Sequence, residues 1–364
     1  MSMCETRIVF LMNVVSPHVL PLAKAVAVAL GQDRVLYLAT GHITERRRKL
    51  GWNEAQEIPW VKVKNSDVSY EDFLIENDVL NAEALVSGIR DFRLFKERVV
   101  ARKCTLFYSE RWAKPPIGFF RLLKPAFLKS VLGIRRIFNM NSGCFAYLPI
   151  GPYAMKDMLA YCGSAARSQM IPWGYFVEPS NKRNECRQVD KAGSTRVLWV
   201  GRLLRLKHVD TIIQAIATCQ EFALRNKTGE SYTFDIYGSG PDESRLVRMA
   251  KKCKGIRFHP PVPIEQVRSL MRQYDVYVMA SNAYEGWGAV VSEALEERML
   301  VLGTHECGAA AAMLPNACLF RCGDVRGLAQ KLMSDIPRLG IGEWSAASGA
   351  RRLIEIAKGR GARI

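Results

Sequence analysis

The chain has ten cysteines and no C-x-x-C pair among them. That spacing leaves no recognisable zinc site and no disulfide framework, so the thiols are expected as small core residues in a reducing compartment. No run reaches the ~18–20 apolar residues that cross a bilayer, and Met1 to Arg7 lacks the character of a signal-peptide n-region, so the expected location is the cytoplasm. No G-x-G-x-x-G follows either of the two strands that open a sheet pattern, which argues against a nicotinamide-dependent oxidoreductase. Acidic residues are scarce: 35 Asp and Glu face 52 Lys and Arg, a net charge of +17. Such an excess implies an anionic partner, whether nucleotide, anionic membrane or nucleic acid. The bases are not organised around any nucleic-acid-binding module, and affinity for phosphate accounts for them, so no nucleic-acid partner is expected.

What is present is the composition of a soluble globular protein, 49% hydrophobic and 24% charged over 364 residues, enough for two ordinary domains. Arg7 to Met12 reads as a buried strand, Val19 to Leu30 as a helix with Pro21 in its first turn, and Arg34 to Ala39 as a second strand. This alternation opens a doubly wound sheet, in which the loop Asn13 to His18 lies at a strand's carboxyl end, where such sheets bind ligands. His18 either faces that site or makes a hydrogen bond at the helix start. Asn81 to Lys103 alternates apolar and charged residues at helical spacing, and Cys104 to Tyr108 reads as a strand delivering Ser109, Glu110 and Arg111. Val177 to Gly193 is polar and reads as a hinge, after which Arg196 to Val200 begins a second sheet.

Two stretches in the second half carry the chemistry. Gly201-Arg202-Leu203-Leu204-Arg205-Leu206-Lys207 is a glycine turn with two spaced cations, a reasonable phosphate clamp. Ser281 to Glu296 follows the strand Val276 to Ala280 and holds a two-glycine turn, Gly286-Trp287-Gly288, running into a helical pattern. Glycine lets backbone amides approach a ligand, and a helix start offers unpaired N–H groups to a diphosphate. With the helix starting near Gly288, Glu293 stands ~7–8 Å along the axis, at a place suited to ribose hydroxyls. Glu285 would then face the sugar.

Glu285 to Glu293 resembles the E-x7-E motif of the GT4-type retaining glycosyltransferases, and Gly201 to Lys207 matches that family's G-R-x4-K pattern. Gly238-Ser239-Gly240-Pro241 is similar to its G-x-G-P turn. The resemblance covers Arg196 to about Lys331 well and the first half more loosely, and it is nearest to members that assemble polysaccharide or lipopolysaccharide. It implies an α/β GT-B fold: two facing Rossmann-like domains with parallel sheets and an interdomain cleft. The implied division is an acceptor domain over 1–178, a linker over 179–193, a donor domain over 194–340, and a helix over 341–364 returning to the first domain. The implied activity is metal-independent transfer of a sugar, with retention, from a UDP- or GDP-linked donor. The missing D-x-D agrees with the absence of a metal. Arg202 and Lys207 would stabilise the leaving diphosphate, Glu285 would orient the sugar, and Glu110 and His18 would serve catalysis or the acceptor. Gly201, Gly238, Gly286, Trp287, Gly288, Ala289 and Glu293 would line the donor site, with Val262 beside the base. The competing readings are a basic nucleic-acid-binding protein and an inactive nucleotide-sugar-binding relative.

Trp112 to Phe138 stands apart. Lys114, Arg121, Lys124, Lys129, Arg135 and Arg136 have no acid between them, and they interleave with phenylalanines and leucines. Pro115, Pro116 and Pro125 are expected to break the segment into short pieces. A basic apolar segment of this kind suits an anionic membrane surface, and with a lipid-linked or glycan acceptor it implies a peripheral position at the inner face of the plasma membrane. The bland alternative is that the apolar residues are core and the bases solvated.

Overall fold

A computed structural model describes residues 7–49, 51–113, 118–180 and 193–364. It divides into two compact units, Met1–Glu178 with Glu343–Ile364, and Pro179–Gly342. In the first unit the order is β1 (Ile8–Met12), α1 (Leu20–Leu30), β2 (Val35–Ala39), α2 (Glu45–Arg48), β3 (Val61–Val63), α3 (Tyr70–Glu76), β4 (Ala84–Ser87), α4 (Phe92–Val100), β5 (Cys104–Ser109), α5 (Pro125–Asn139), β6 (Phe145–Pro149) and α6 (Pro152–Cys162). The second unit continues with β7 (Ser194–Val200), α7 (Val209–Asn226), β8 (Ser231–Tyr237), α8 (Glu243–Ala250), β9 (Ile256–His259), α9 (Ile264–Met271) and β10 (Val276–Met279). It closes with α10 (Val290–Glu296), β11 (Leu300–Thr304), α11 (Gly308–Met313), β12 (Leu319–Phe320) and α12 (Val325–Leu332), and α13 (Ala346–Gly359) belongs to the first unit.

Each unit is built on a six-stranded parallel sheet. The orders are β3-β2-β1-β4-β5-β6 and β12-β11-β10-β7-β8-β9. Counted within each unit the two orders are the same, with the chain reversing direction across the sheet between β1 and β4 and between β7 and β10. Every residue of β1, β2 and β6 is buried, as a parallel strand covered on both faces requires. Helix α7 buries Val209, Ile212, Ile213, Ile216, Cys219 and Ala223, the stripe expected of a helix laid on a sheet. Ser345 caps α13 by accepting from the Ser348 amide, and α13 packs along α1 through a face that includes Ala346, Ala350, Leu353 and Ala357.

Three expectations need correction. Asn81 to Lys103 is not one helical stretch: it holds the central strand β4 and then α4, capped by the Asp91 carboxylate on the Leu94 amide. Four buried residues are too short a run to announce a strand by periodicity. Trp112 to Phe138 is less broken than its prolines suggest, because Pro125 begins α5 rather than interrupting it. Val131, Ile134, Ile137 and Phe138 on α5 are core, while Lys124, Lys129, Arg135 and Arg136 are exposed. Lys114, Pro115 and Pro116 lie outside the described residues, as do 181–192 of the stretch read as a linker. At its start that stretch is packed: Ser180 is buried and its amide donates to Glu296 Oε1 at 2.8 Å.

The first unit also contains a charge in its core. Arg98, 0% exposed, spends all five of its N–H groups on neutral oxygens: Thr105 Oγ1 at 3.2 Å and the carbonyls of Val79, Leu80, Ala82 and Cys104 at 2.7–2.8 Å. Burial lowers its pKa to about 10. The guanidinium thus ties the loop after α3 to the start of β5, and no other side chain offers five donors in one plane. Arg98→Met should destabilise the protein by roughly 3–5 kcal/mol in urea unfolding, because the buried carbonyls of Val79, Ala82 and Cys104 lose their donors. A change below about 1 kcal/mol would mean that these carbonyls find other partners.

Candidate functional site

In doubly wound sheets ligands bind beyond the carboxyl ends of the strands, where the strand order reverses. In the second unit that place lies between the loops after β7 and β10. The loop after β7 leaves through Gly201, whose amide donates to the Tyr237 carbonyl at 3.0 Å, and Leu203 donates to Ser239 at 3.0 Å. The turns after β7 and β8 are therefore fastened together. A Cβ on Gly238, where φ is 148°, would lie 1.8 Å from the Gly201 carbonyl oxygen, so only glycine permits this approach. Gly238 thus holds the β7 and β8 turns in contact.

The loop after β10 meets the loop after β7 at three points. The Asn282 amide donates to the Leu206 carbonyl at 2.9 Å, and the Asn282 side chain meets His208 Nε2 at 3.2 Å. Between them, Lys207 Nζ donates to Glu285 Oε2 in an ion pair. Both side chains are mostly enclosed, 20% and 17% exposed. Arg202 is not part of this pair: it is exposed, and among the described residues it forms no ion pair. Val262 is half-buried in the loop after β9.

The two-glycine turn differs in detail from its sequence reading. Helix α10 begins at Val290, two residues after Gly288, whose φ of 88° keeps it outside the helix. A Cβ there would approach Cys307 Sγ to 2.8 Å. The amides of Gly288, Ala289 and Val290 meet no acceptor among the described residues. Trp287 is core, 1% exposed, and its carbonyl accepts from the Ala309 amide at 2.8 Å and Cys307 Sγ at 3.1 Å. Its indole is thereby withdrawn from any ligand. Burial pushes the Cys307 thiol up to about 12, so it acts as packing and not as a nucleophile.

Beneath this edge lies a cluster that the sequence did not reveal. Asp235 on β8, 1% exposed, accepts from Arg257 at 2.8 and 2.7 Å and from His259 Nε2 at 2.5 Å. His259 stacks on Tyr237 with ring centroids 4.3 Å apart. Asp235 faces Arg257 across the ladder, and Tyr237 faces His259. Only the register brings them together, so no spacing along the chain could announce them.

In the first unit the corresponding reversal point opens into a cavity of about 320 Å³, lined by residues that include Asn13, Ser16, Arg90, Ser109, Glu110 and Tyr175. Arg111 bonds Asp157 at 3.1 and 3.3 Å. Glu110 accepts from Tyr175 Oη at 3.3 Å. Tyr175 also stacks on His18, with centroids 5.5 Å apart, and Trp52 meets His18 edge-on at 5.8 Å. Tyr175 therefore joins His18 to Glu110. It is the backbone amide of His18, not its ring, that bonds Ser16 Oγ at the helix start, at 3.3 Å. Burial lowers the pKa of the His18 imidazole, with Glu110 opposing and Arg47 adding to the effect.

Glu293 sits in the first turn of α10, and burial raises its pKa to about 7, with Arg268 opposing and Glu297 adding to the rise. A carboxyl whose folded pKa lies above its unfolded value contributes stability at low pH, and that contribution is lost as pH rises through about 7. Glu293→Gln removes the titration. In urea unfolding at pH 8 the variant should be more stable than the parent by roughly 1–3 kcal/mol, and the gain should shrink as pH falls toward 4.5. A gain independent of pH would show that Glu293 is not the titrating group.

Residues 181–334 match the family model described as glycosyl transferases group 1. Among curated relatives, the UDP-N-acetylglucosamine–peptide N-acetylglucosaminyltransferase GtfA subunit of Streptococcus agalactiae is 29% identical over 107 residues, 29% of this chain and 20% of the relative. The chain thus spans about a fifth of the length of the curated relatives it matches. Among solved structures, Anabaena HepE in complex with UDP superposes with a TM-score of 0.62 at 16% identity, covering 97% of each chain. The lipopolysaccharide outer core galactosyltransferase WaaB superposes with a TM-score of 0.64 at 12% identity, covering 97% of this chain and 99% of that one. Two like-ordered parallel sheets and superposition over nearly the whole length lead to one conclusion: the chain has the GT-B fold, and within it residues 181–334 match the glycosyl transferases group 1 model.

Proposed function

We propose that the protein transfers a sugar, with retention, from a nucleotide sugar to an acceptor hydroxyl. The observation that carries this reading is the Lys207–Glu285 pair beside the unfilled amides of Gly288 and Ala289, at the reversal point of the second sheet. The donor diphosphate would lie on those amides and draw the Lys207 ammonium from Glu285, with exposed Arg202 closing on it as a fork. Glu285, released from the lysine, would accept from sugar hydroxyls, and Glu293 from the ribose. As the C1–O bond to the diphosphate breaks, its electron pair is stabilised by Arg202, Lys207 and the amides. The acceptor oxygen bonds C1 on the face the diphosphate leaves, and its proton passes to the departing phosphate. The cations take the place of a divalent metal. Solved HepE binds UDP, and the name of the GtfA relative specifies a UDP-sugar, which together favour UDP over GDP as the nucleotide.

The first unit would take the acceptor, with Glu110 lining its cavity and His18 stacked on the lining residue Tyr175. Glu285→Gln should leave UDP affinity within about two-fold while turnover collapses, whereas Glu293→Ala should weaken UDP and donor alike by roughly ten- to hundred-fold. Calorimetry with UDP and mass-spectrometric product detection separate the two; equal damage from both variants would overturn the placement of the glutamates. EDTA should leave turnover unaltered, and rescue of an EDTA-treated sample by manganese would contradict the metal-free route.

The acceptor is read as a lipid-linked glycan at an anionic membrane surface. No helix among the described residues is long and apolar enough to cross a membrane. However, the segment leading into α5 presents Phe120 and Leu123, 75% and 81% exposed, beside exposed Lys124, Lys129, Arg135 and Arg136. Each cation near an anionic surface contributes about 1 kcal/mol, and inserted apolar side chains add to it. The protein should co-sediment with phosphatidylglycerol vesicles, less in high salt, and less after Lys124, Lys129 and Arg136 are changed to glutamine. A parent protein that stays in the supernatant at low salt would leave a soluble acceptor as the better reading.

A further inference from the structure

The first unit's cavity holds a cation that the reading above does not use. Arg90 follows β4 at the rim, its guanidinium laid over the Trp112 ring at 4.0 Å. A guanidinium stacked in this way keeps its N–H edges available for an anion. Among the described residues no carboxylate pairs with it, although three stand near in sequence or space. Asp91 is spent on the Leu94 amide and Tyr70 Oη at 3.0 Å each. Asp157 is spent on Arg111 and on the Ala113 amide at 2.9 Å. Glu110 accepts from Tyr175.

A second arginine, outside the cavity lining, is tied to the backbone of the same tryptophan. Arg121 Nη1 donates to the Trp112 carbonyl at 3.4 Å, and its Nε is buried with no hydrogen-bond partner among the described residues. Arg121 lies close enough that its charge, together with burial, lowers the pKa of Arg90. Two like charges gathered around one tryptophan repel each other, and an anion between or beside them would relieve both the repulsion and the unmet donors. The cavity, at about 320 Å³, is at the lower end of small-molecule pockets, which run from about 300 to 1,000 Å³.

We propose that this cavity takes an acceptor bearing an anionic group, a phosphate or a carboxylate, with that group on Arg90 and Arg121 and the acceptor hydroxyls toward Glu110. The inference rests on the reading of the first unit as the acceptor side. It adds a chemical class: a sugar phosphate, a sugar acid, or a glycan whose lipid anchor is joined through phosphate.

The test uses the full chain and ligand-observed NMR with glucose, glucose 6-phosphate, glucuronate and dodecyl phosphate, with UDP calorimetry run in parallel. Glucose 6-phosphate, glucuronate or dodecyl phosphate should bind at least ten-fold tighter than glucose, as charge-assisted hydrogen bonds to an arginine fork imply. Arg90→Gln should abolish that preference, Arg90→Lys should retain part of it, and Arg121→Gln should weaken it, all with UDP affinity unaltered. Preference for dodecyl phosphate over glucose 6-phosphate would assign the anion to the lipid anchor, and the reverse would assign it to the glycan. Equal binding of glucose and all three anions, with UDP bound normally, would overturn the inference and leave the donor reading intact. Loss of UDP binding in the parent protein would overturn the donor reading, while an Arg90-dependent anion preference would still stand. Folded variants are recognised by an unaltered thermal midpoint; a misfolded Arg90→Gln passes the decision to Arg90→Lys and Arg121→Gln.

Discussion

Parallel pairing is the constraint from which the rest follows. Strands that all run one way must be joined by crossovers, and their carboxyl ends gather on one edge. In each unit the strand order reverses once, between β1 and β4 or between β7 and β10, and the two loops there part in opposite directions. The gap so formed is filled by short polar loops rather than by strands. Lys207 and Glu285, 78 residues apart, meet for this reason alone. Asn13, Arg90 and Glu110 reach one cavity for the same reason.

Close packing at these edges limits what each residue can do. Gly201 and Gly238 touch through their backbones, so the turns after β7 and β8 behave as one piece. Gly288 fits against Cys307, and Trp287 fills the space below it. The indole of Trp287 is thus held inward, while the Gly288 and Ala289 amides meet no acceptor among the described residues.

Buried charge is handled in two ways. Arg98 and Asp235 are fully satisfied, the first by oxygens of the backbone and a threonine, the second by Arg257 and His259, and both lock strands in register. Glu293 and Arg90 are less well compensated. Burial raises the first and lowers the second, and each stands at a carboxyl-edge loop or helix where a ligand can supply what the protein does not.

The sequence by itself determined the class of fold and the order of the motif-bearing loops. Apolar runs such as Ile8–Met12 and Val276–Met279 read as buried strands because a parallel strand must be apolar on both faces. The glycines at 201, 238, 286 and 288 were equally legible as turn residues, and at 201, 238 and 288 φ is 154°, 148° and 88°, backbone that favours glycine. β3 and β4 were not, because three or four residues hold too little periodicity to separate from their surroundings. Arg98 falls within Asn81 to Lys103, where nothing in the alternation of apolar and charged residues sets it apart from the other bases. Only tertiary structure decided that it lies at the centre of the first unit, that Trp287 is core, and that Asp235 faces Arg257. Each of those depends on which strand lies beside which and in what register, a choice made by long-range packing and not by any neighbour along the chain.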